Sequence, residues 1–179
     1  MGSILDDYAP DLHSDDWNKR EGYDVAQICL NGHCINSSTI DYPEHNQDFC
    51  SACGEPTMTK CQKCDTPIKG YLRGSMTVYA DAIPSFCHKC GTPYPWTASR
   101  VDAAVEMANE LDGLNDEERS LLAGSVDDLV REGPKTALAA TRFKKLITKA
   151  GSVAAESFRK ILVDIASETA KKMLWPNEK

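Results

Sequence analysis

The sequence has no long apolar run, and no stretch approaches the about 20 apolar residues that a membrane-spanning helix needs. Its first residues also lack the basic region and apolar core of a secretory signal peptide. Asp6 stands where N-myristoylation requires a hydroxyl residue, which argues against that lipid anchor. We therefore expect a soluble protein of the cytoplasm with no membrane partner.

Basic residues and catalytic motifs are scarce as well. There are 20 lysines and arginines against 27 acidic residues, so the net charge is −7 with histidine neutral. An acidic chain is a poor candidate for broad nucleic-acid binding, because that affinity comes from neutralising phosphates. The chain has only four histidines and carries no phosphate-binding loop, H-E-x-x-H or G-x-S-x-G motif. We therefore expect a protein with no catalytic residues and no enzymatic activity.

Cysteine is absent from most of the chain, yet all eight cysteines lie between Cys29 and Cys90. Six of them form C-x-x-C pairs, which are Cys50/Cys53, Cys61/Cys64 and Cys87/Cys90. Two thiolates separated by two residues can reach one Zn²⁺ ion from a single tight turn. The first and third pairs are each followed by a glycine, which suits a turn that requires positive φ. The spacing therefore predicts zinc-binding knuckles.

Chain order predicts two zinc sites. The second site takes Cys61, Cys64, Cys87 and Cys90, and the first takes Cys50, Cys53, Cys29 and either His33 or Cys34. We favour His33, because C-x-x-G-His followed by F-C-x-x-C-G resembles a zinc-ribbon pattern that a histidine completes. Disulfides are the alternative, but such pairs more often hold metal in a chain without a secretory signal. Four protein ligands leave no position for water, so we expect two structural zinc ions per chain.

A longer pattern surrounds these motifs. The run Y-D-V-A-Q-I-C-L-N-G-H-C-I-N-S-S-T-I-D-Y-P at 23–43, the three later C-x-x-C pairs and P-Y-P-W at 93–96 resemble a bacterial family of uncharacterised proteins with an N-terminal double zinc ribbon. The resemblance covers the ribbon half well and the helical half loosely. It implies zinc binding in the bacterial cytoplasm, and it implies no activity. It also supports His33 as the ligand, because the family has an apolar residue at the position of Cys34.

Composition divides the chain into three parts. Residues 1–22 form an acidic arm that we expect to be flexible. Residues 23–96 are predicted to be a double zinc-ribbon domain with short antiparallel strands at 23–29, at 36–41 and within 68–79. Residues 97–179 have no cysteine and are rich in alanine, leucine, lysine and glutamate, which predicts a helical domain for interaction or oligomerisation. The predicted fold class is α+β, with tandem ribbons followed by an all-α bundle.

Apolar periodicity predicts about four helices in the last part. The first covers about residues 99–112, and Asn115 and Glu118 predict a capping box at the start of the second. Gly133-Pro134 precedes the third helix, and Gly151-Ser152 precedes a fourth that ends near residue 174. The apolar stripe of this last helix is a candidate partner surface, formed by Phe158, Ile161, Ile165 and Met173.

Charge is segregated within the helical part. Residues 97–132 carry ten acids and three bases, whereas residues 133–179 carry four acids and ten bases, giving net charges of −7 and +6. Opposite charges of this size favour pairing, either within one chain or between copies. We therefore expect an adaptor that assembles with a protein partner or with itself. The alternative is a nucleic-acid-binding zinc ribbon, for which the third helix offers Arg142, Lys144, Lys145 and Lys149.

Overall fold

The computed structural model describes residues 22–74 and 83–176. Within these ranges, short antiparallel strands come first and five helices follow, which confirms the predicted α+β class. Nearly all of the predicted arm, and the end of the predicted strand region at 68–79, lie outside the described residues. None of the helices in the described ranges is long and apolar enough to cross a membrane.

Five short strands build two small antiparallel sheets. They are β1 (Tyr23–Val25), β2 (Gln27–Cys29), β3 (Cys34–Asn36), β4 (Thr57–Met58) and β5 (Lys69–Leu72). β1 pairs with β5, and β2 lies between β3 and β4. The predicted strand at 23–29 is divided at Ala26, whose N–H donates to Ile68 O (2.9 Å). The predicted strand at 36–41 is wrong, because β3 ends at Asn36, where the side-chain oxygen accepts from Ser38 N–H (2.9 Å) and turns the chain.

Five helices, rather than the predicted four, follow the region of short strands and C-x-x-C turns at 22–74 and 83–94, to which we give the name ribbon half or ribbons. They are α1 (Pro95–Glu110), α2 (Asp116–Val130), α3 (Thr136–Ala150), α4 (Ser152–Leu162) and α5 (Glu168–Leu174). The predicted fourth helix is divided because the chain at 163–167 turns toward α2, where Ser167 N–H donates to Leu129 O (2.9 Å). The Ser167 hydroxyl then accepts from Ala170 N–H (3.3 Å) and caps α5.

The capping box predicted at Asn115 is present. Asn115 Oδ1 accepts from Glu118 N–H (2.9 Å), and Glu118 Oε2 accepts from Asn115 N–H (3.1 Å). Lys149 on α3 also reaches this carboxylate, with Nζ 2.6 Å from Oε2. The ammonium lowers the pKa of Glu118, so the pair's contribution to stability is lost as the pH falls through that lowered pKa. The acidic and basic helices are thus partly matched within one chain.

The helical core corrects the predicted partner surface. Phe158 and Ile165 are buried against the protein's own helices, and Ile161 is half-buried, so these side chains do not form an open apolar face. Phe158 meets the ring of Phe143 edge to face, with centroids 5.3 Å apart. Of the four predicted residues, Met173 is the exposed one, at 36 %. The stripe is apolar because α4 packs on α1 and α3.

The ribbons and the helices share residues where they meet. Trp96, in the first turn of α1, is buried in the ribbon core and stacks on Tyr94 with ring centroids 4.7 Å apart. Phe86 of the ribbon packs against the helical core, and the Arg131 guanidinium lies 4.7 Å from its ring centroid. Gly32 approaches Trp96 so closely that a Cβ there would lie 3.0 Å from the tryptophan Cβ. The last ribbon knuckle therefore continues directly into α1.

A buried ion pair ties β1 to the residue that follows β5. The Asp24 side chain is fully buried, and its Oδ2 lies 2.8 Å from Arg73 Nη2. Arg73 also binds the Asp41 carboxylate through Nε (2.9 Å), and this hydrogen bond raises the pKa of the guanidinium. Removing one partner of a buried pair leaves the other charge uncompensated in the interior. The pair therefore helps to hold the first sheet together.

We expect Arg73→Met to lower the free energy of unfolding by about 3–5 kcal/mol, because it leaves Asp24 buried without a cation. Lys60→Met is the matched control, since it removes an ion pair to Asp65 whose side chains are both mostly exposed. Urea titration at constant metal concentration, followed by tryptophan fluorescence, measures both variants. Equal losses for the two variants would contradict the assigned role of the buried pair.

Candidate metal centres

All three C-x-x-C segments fold into the same turn. In each, the N–H of the first cysteine donates to a carbonyl five residues later, and its carbonyl accepts from the N–H four residues later, at distances of 2.8–2.9 Å. The residue after the second cysteine has positive φ in every case, at 76° for Gly54, 68° for Gly91 and 55° for Asp65. Aspartate tolerates this region better than most residues, so the second knuckle, Cys61/Cys64, forms without glycine.

The segment from Cys29 to Cys34 supplies the first group by another route. β2 ends at Cys29, whose carbonyl accepts from Gly32 N–H (2.9 Å) and whose N–H donates to His33 O (3.0 Å). The His33 N–H donates to Cys29 Sγ at 3.2 Å. This tight hairpin turn brings the imidazole of His33 and the thiol of Cys29 to the same side.

The first group consists of Cys29, His33, Cys50 and Cys53, whose ligand atoms all lie within 4.8 Å of one another. His33 Nδ1 is 3.5 Å from both Cys29 Sγ and Cys50 Sγ, and Cys29 Sγ is 3.8 Å from Cys53 Sγ. Tetrahedral bonds of about 2.3 Å to sulfur and 2.0–2.1 Å to nitrogen place ligand atoms about 3.6–3.8 Å apart. The spacing therefore fits one metal ion.

The second group consists of Cys61, Cys64, Cys87 and Cys90, and these atoms also lie within 4.8 Å of one another. Cys61 Sγ is 3.7 Å from Cys90 Sγ, and Cys64 Sγ is 3.6 Å from Cys87 Sγ. These separations match the edges of a tetrahedral four-sulfur site and are far longer than the about 2.0 Å of a disulfide bond. All eight cysteines are in the described ranges, and none is in a disulfide. The two groups fit two metal ions.

The structure separates His33 from Cys34, the two candidates for the last ligand of the first site. His33 joins the group, whereas Cys34 lies on β3 with an exposed side chain and is outside it. His33 precedes β3 and lies in the turn after Cys29, where its Nδ1 is 3.5 Å from Cys29 Sγ. The geometry therefore groups His33, rather than Cys34, with the other three candidate ligands.

The two groups differ in exposure. In the first, Cys29 and Cys50 are buried, whereas His33 and Cys53 are exposed. In the second, Cys61 and Cys87 are buried and the other two thiols are half-buried within the ribbon core. The first group therefore lies at an outer edge of the protein, and the second lies at the joint with the helices.

Three residues beside the second group were not predicted from the sequence. Thr66 Oγ1 lies 3.2 Å from Cys64 Sγ, and Thr92 Oγ1 lies 3.5 Å from Cys90 Sγ. Hydrogen bonds from Thr92 lower the pKa of Cys90 to about 6, which favours the thiolate that a metal binds. Burial and the neighbouring Cys87 raise the pKa of Tyr94, so its hydroxyl stays protonated beside the sulfurs. The sequence C-x-T-P is repeated at these two knuckles, and this repeat could have pointed to the two threonines.

Comparison with known proteins gives one result. The profile of a family described as "Uncharacterized protein conserved in bacteria" (DUF2321) matches residues 22–174. The chain therefore belongs to this bacterial family, which confirms the resemblance seen in the sequence. Neither the curated proteins nor the solved structures include a match to the chain.

We expect Cys87→Ser and Cys50→Ser each to remove one of two bound metal ions, because each variant breaks a different group of four ligands. Native mass spectrometry of the purified protein measures the metal count directly. His33→Ala should also weaken the binding of one ion or abolish it.

Cys34→Ser is the matched control for these variants and should retain both ions, since Cys34 lies outside the ligand groups. Loss of an ion in Cys34→Ser, with both retained in His33→Ala, would reverse the assignment of the eighth ligand. A protein that carries no metal and has lost the mass of paired thiol hydrogens would contradict both sites.

Proposed function

We propose that this member of the bacterial DUF2321 family is a non-enzymatic adaptor, folded around two structural zinc ions, that binds other proteins. The observation that best supports this role is that both ligand groups are complete. Each supplies four protein donors at tetrahedral spacing, so a bound ion has no position left for water or substrate. Three-cysteine-one-histidine and four-cysteine donor sets are those of structural zinc.

Zinc would supply most of the folding energy of the ribbons. Their strands contain two to four residues each, and sheets of this size are marginal in water. A structural zinc site contributes on the order of 10–16 kcal/mol in peptide models. The ribbon surface that meets a partner would therefore exist only in the metal-bound protein. Thiolate ligands also favour a reducing compartment, so we propose a cytoplasmic location.

The helical half supports the ribbons in this proposal. The apolar stripe of α4 is used inside the chain, and the large apolar side chains exposed on the central helices are Leu121 (44 %) and Leu138 (50 %). Single exposed side chains of this kind are ordinary on protein surfaces. We therefore assign recognition mainly to the ribbon loops, with the helices as a supporting platform and the site of any self-association.

Nucleic-acid binding is the second candidate, and one observation favours it. Lys144, Lys145 and Thr148 of α3 line an open groove with Met173. Against it, Lys149 on the same helix is held by Glu118, and the stretch from Gly22 to Thr59 contains no lysine or arginine. Nucleic-acid binding needs several cations along one path, because it depends on neutralising phosphates. In this groove the cations are Lys144 and Lys145.

Tagged protein, crosslinked in its bacterial host and purified with nuclease treatment, tests the adaptor role. We expect a protein to co-purify in stoichiometric amount with the wild type and with Cys34→Ser, and to be lost with Cys50→Ser. The two variants differ because Cys50 belongs to a ligand group and Cys34 does not. Recovery that disappears with nuclease, or that does not require the ribbon, would contradict the proposal.

Fluorescence anisotropy with labelled 20-nucleotide single and double strands tests the second candidate. The adaptor role predicts no saturable binding at 25 mM salt. Binding that falls steeply between 25 and 200 mM salt, and that Lys144→Ala with Lys145→Ala weakens, would instead support nucleic-acid recognition through α3.

A further inference from the structure

We propose that residues 37–49, between β3 and the first C-x-x-C knuckle, form a preformed binding loop for a cationic segment of a partner protein. This inference rests on the adaptor role proposed above and names the chemistry of its partner. Three properties of the loop support it: exposed apolar side chains, a backbone held by buried polar groups, and exposed acidic side chains with no lysine or arginine.

Large apolar side chains are concentrated on the outside of the loop. Ile40 is 54 % exposed, Tyr42 is 49 % exposed and Phe49 is 64 % exposed. They are three of the eight large apolar side chains that are exposed in the described ranges, and they fall within ten residues of sequence. One such side chain needs no explanation, but a local concentration that includes two aromatic rings is typical of protein interfaces.

The first half of the loop is fixed by two buried side chains. Asp24 on β1 accepts hydrogen bonds from the N–H of Ile40 (3.1 Å) and of Asp41 (3.2 Å). Asn36 at the end of β3 donates to Tyr42 O (2.8 Å) and accepts from Ser38 N–H (2.9 Å). Both side chains belong to residues that are at least nine-tenths buried. A fully satisfied buried network of this kind specifies one conformation.

The second half of the loop is fixed in the same way by Gln27 on β2. Its amide oxygen accepts from Gln47 N–H (3.0 Å), and its amide nitrogen donates to Gln47 O (2.9 Å). The Thr57 hydroxyl on β4 also donates to Gln47 O (2.6 Å). Strands of both sheets therefore hold the loop backbone, while its apolar side chains face outward. A loop ordered before binding loses less entropy when it binds.

Charge decides which partner fits this surface. The stretch 22–59 contains five acidic residues and no lysine or arginine, a net of −5. Three thiolates and one divalent ion at the first site would add −1. Arg73 offsets part of this negative charge through its ion pairs with Asp24 and Asp41. Glu44 and Asp48 within the loop remain exposed. Lysine or arginine beside an apolar side chain complements such a surface, whereas nucleic-acid phosphates are repelled.

A random 12-residue peptide library displayed on phage tests the chemistry of the partner with the full-length, zinc-loaded protein as target. We expect the selected peptides to carry at least two lysines or arginines next to an aromatic or aliphatic residue. Labelled synthetic copies are then titrated against the variants by fluorescence anisotropy. Native mass spectrometry first establishes that each variant keeps two metal ions, since none of the substituted residues is a ligand.

Tyr42→Ser with Phe49→Ser should weaken peptide binding by about tenfold or more, as expected for exposed apolar anchors. Glu44→Gln with Asp48→Asn should weaken it less and flatten its salt dependence. Leu138→Ser is the matched control, because it removes an equally exposed apolar side chain on α3, and it should leave binding unchanged.

The proposal is overturned if the library yields no binders, if the selected peptides show no excess of basic residues, or if they bind Tyr42→Ser with Phe49→Ser as tightly as the wild type. An oligonucleotide that competes at the loop, or a dimer that Tyr42→Ser with Phe49→Ser dissolves, would also overturn it in favour of another occupant. The crosslinking experiment keeps the two proposals separate. A partner still recovered with Tyr42→Ser and Phe49→Ser would leave the adaptor role standing and remove the loop from it.

Discussion

Four donor atoms held at tetrahedral spacing are the constraint on which this structure depends. The ribbon strands are too short to be stable through their own ladders, and each sheet has only two or three of them. Order comes instead from knuckles whose sulfur and nitrogen atoms converge to 3.5–3.8 Å. Unligated thiolates at such distances would repel one another. The folding of each ribbon is therefore coupled to the binding of its ion.

The second ligand group is linked to the helices by the residues on either side of it. Cys90 is followed within six residues by Trp96, which belongs to α1 and to the ribbon core at the same time. Phe86, one residue before Cys87, packs in the opposite direction against the helical core. An ion bound at this site would therefore orient the first turn of α1 as well as the knuckles. The first group also meets α1, through Gly32 of its turn, which lies against Trp96, although two of its four ligands are exposed.

The sequence was most informative where the chemistry is local. C-x-x-C turns, positive φ at Gly54 and Gly91, and the Asn115 capping box all depend on residues a few positions apart, and each is present as predicted. The predicted continuous last helix failed because its apolar period runs on through 163–167. The break there is decided by Leu129, which accepts a hydrogen bond from Ser167 across the bundle. Local periodicity contains no information on such a partner.

The loop at 37–49 also depends on contacts between distant residues, which the local sequence pattern does not reveal. Asp24, Gln27 and Asn36 appear in sequence as ordinary polar residues of alternating strands, yet the fold turns all three inward to bind one irregular segment. Burying such groups is costly unless they are satisfied. The protein instead uses three buried polar side chains to hold a loop whose apolar residues remain in water. Asp24 also contributes to stability through Arg73, but the exposed apolar side chains of the loop do not, and a surface kept ready for a partner would account for them.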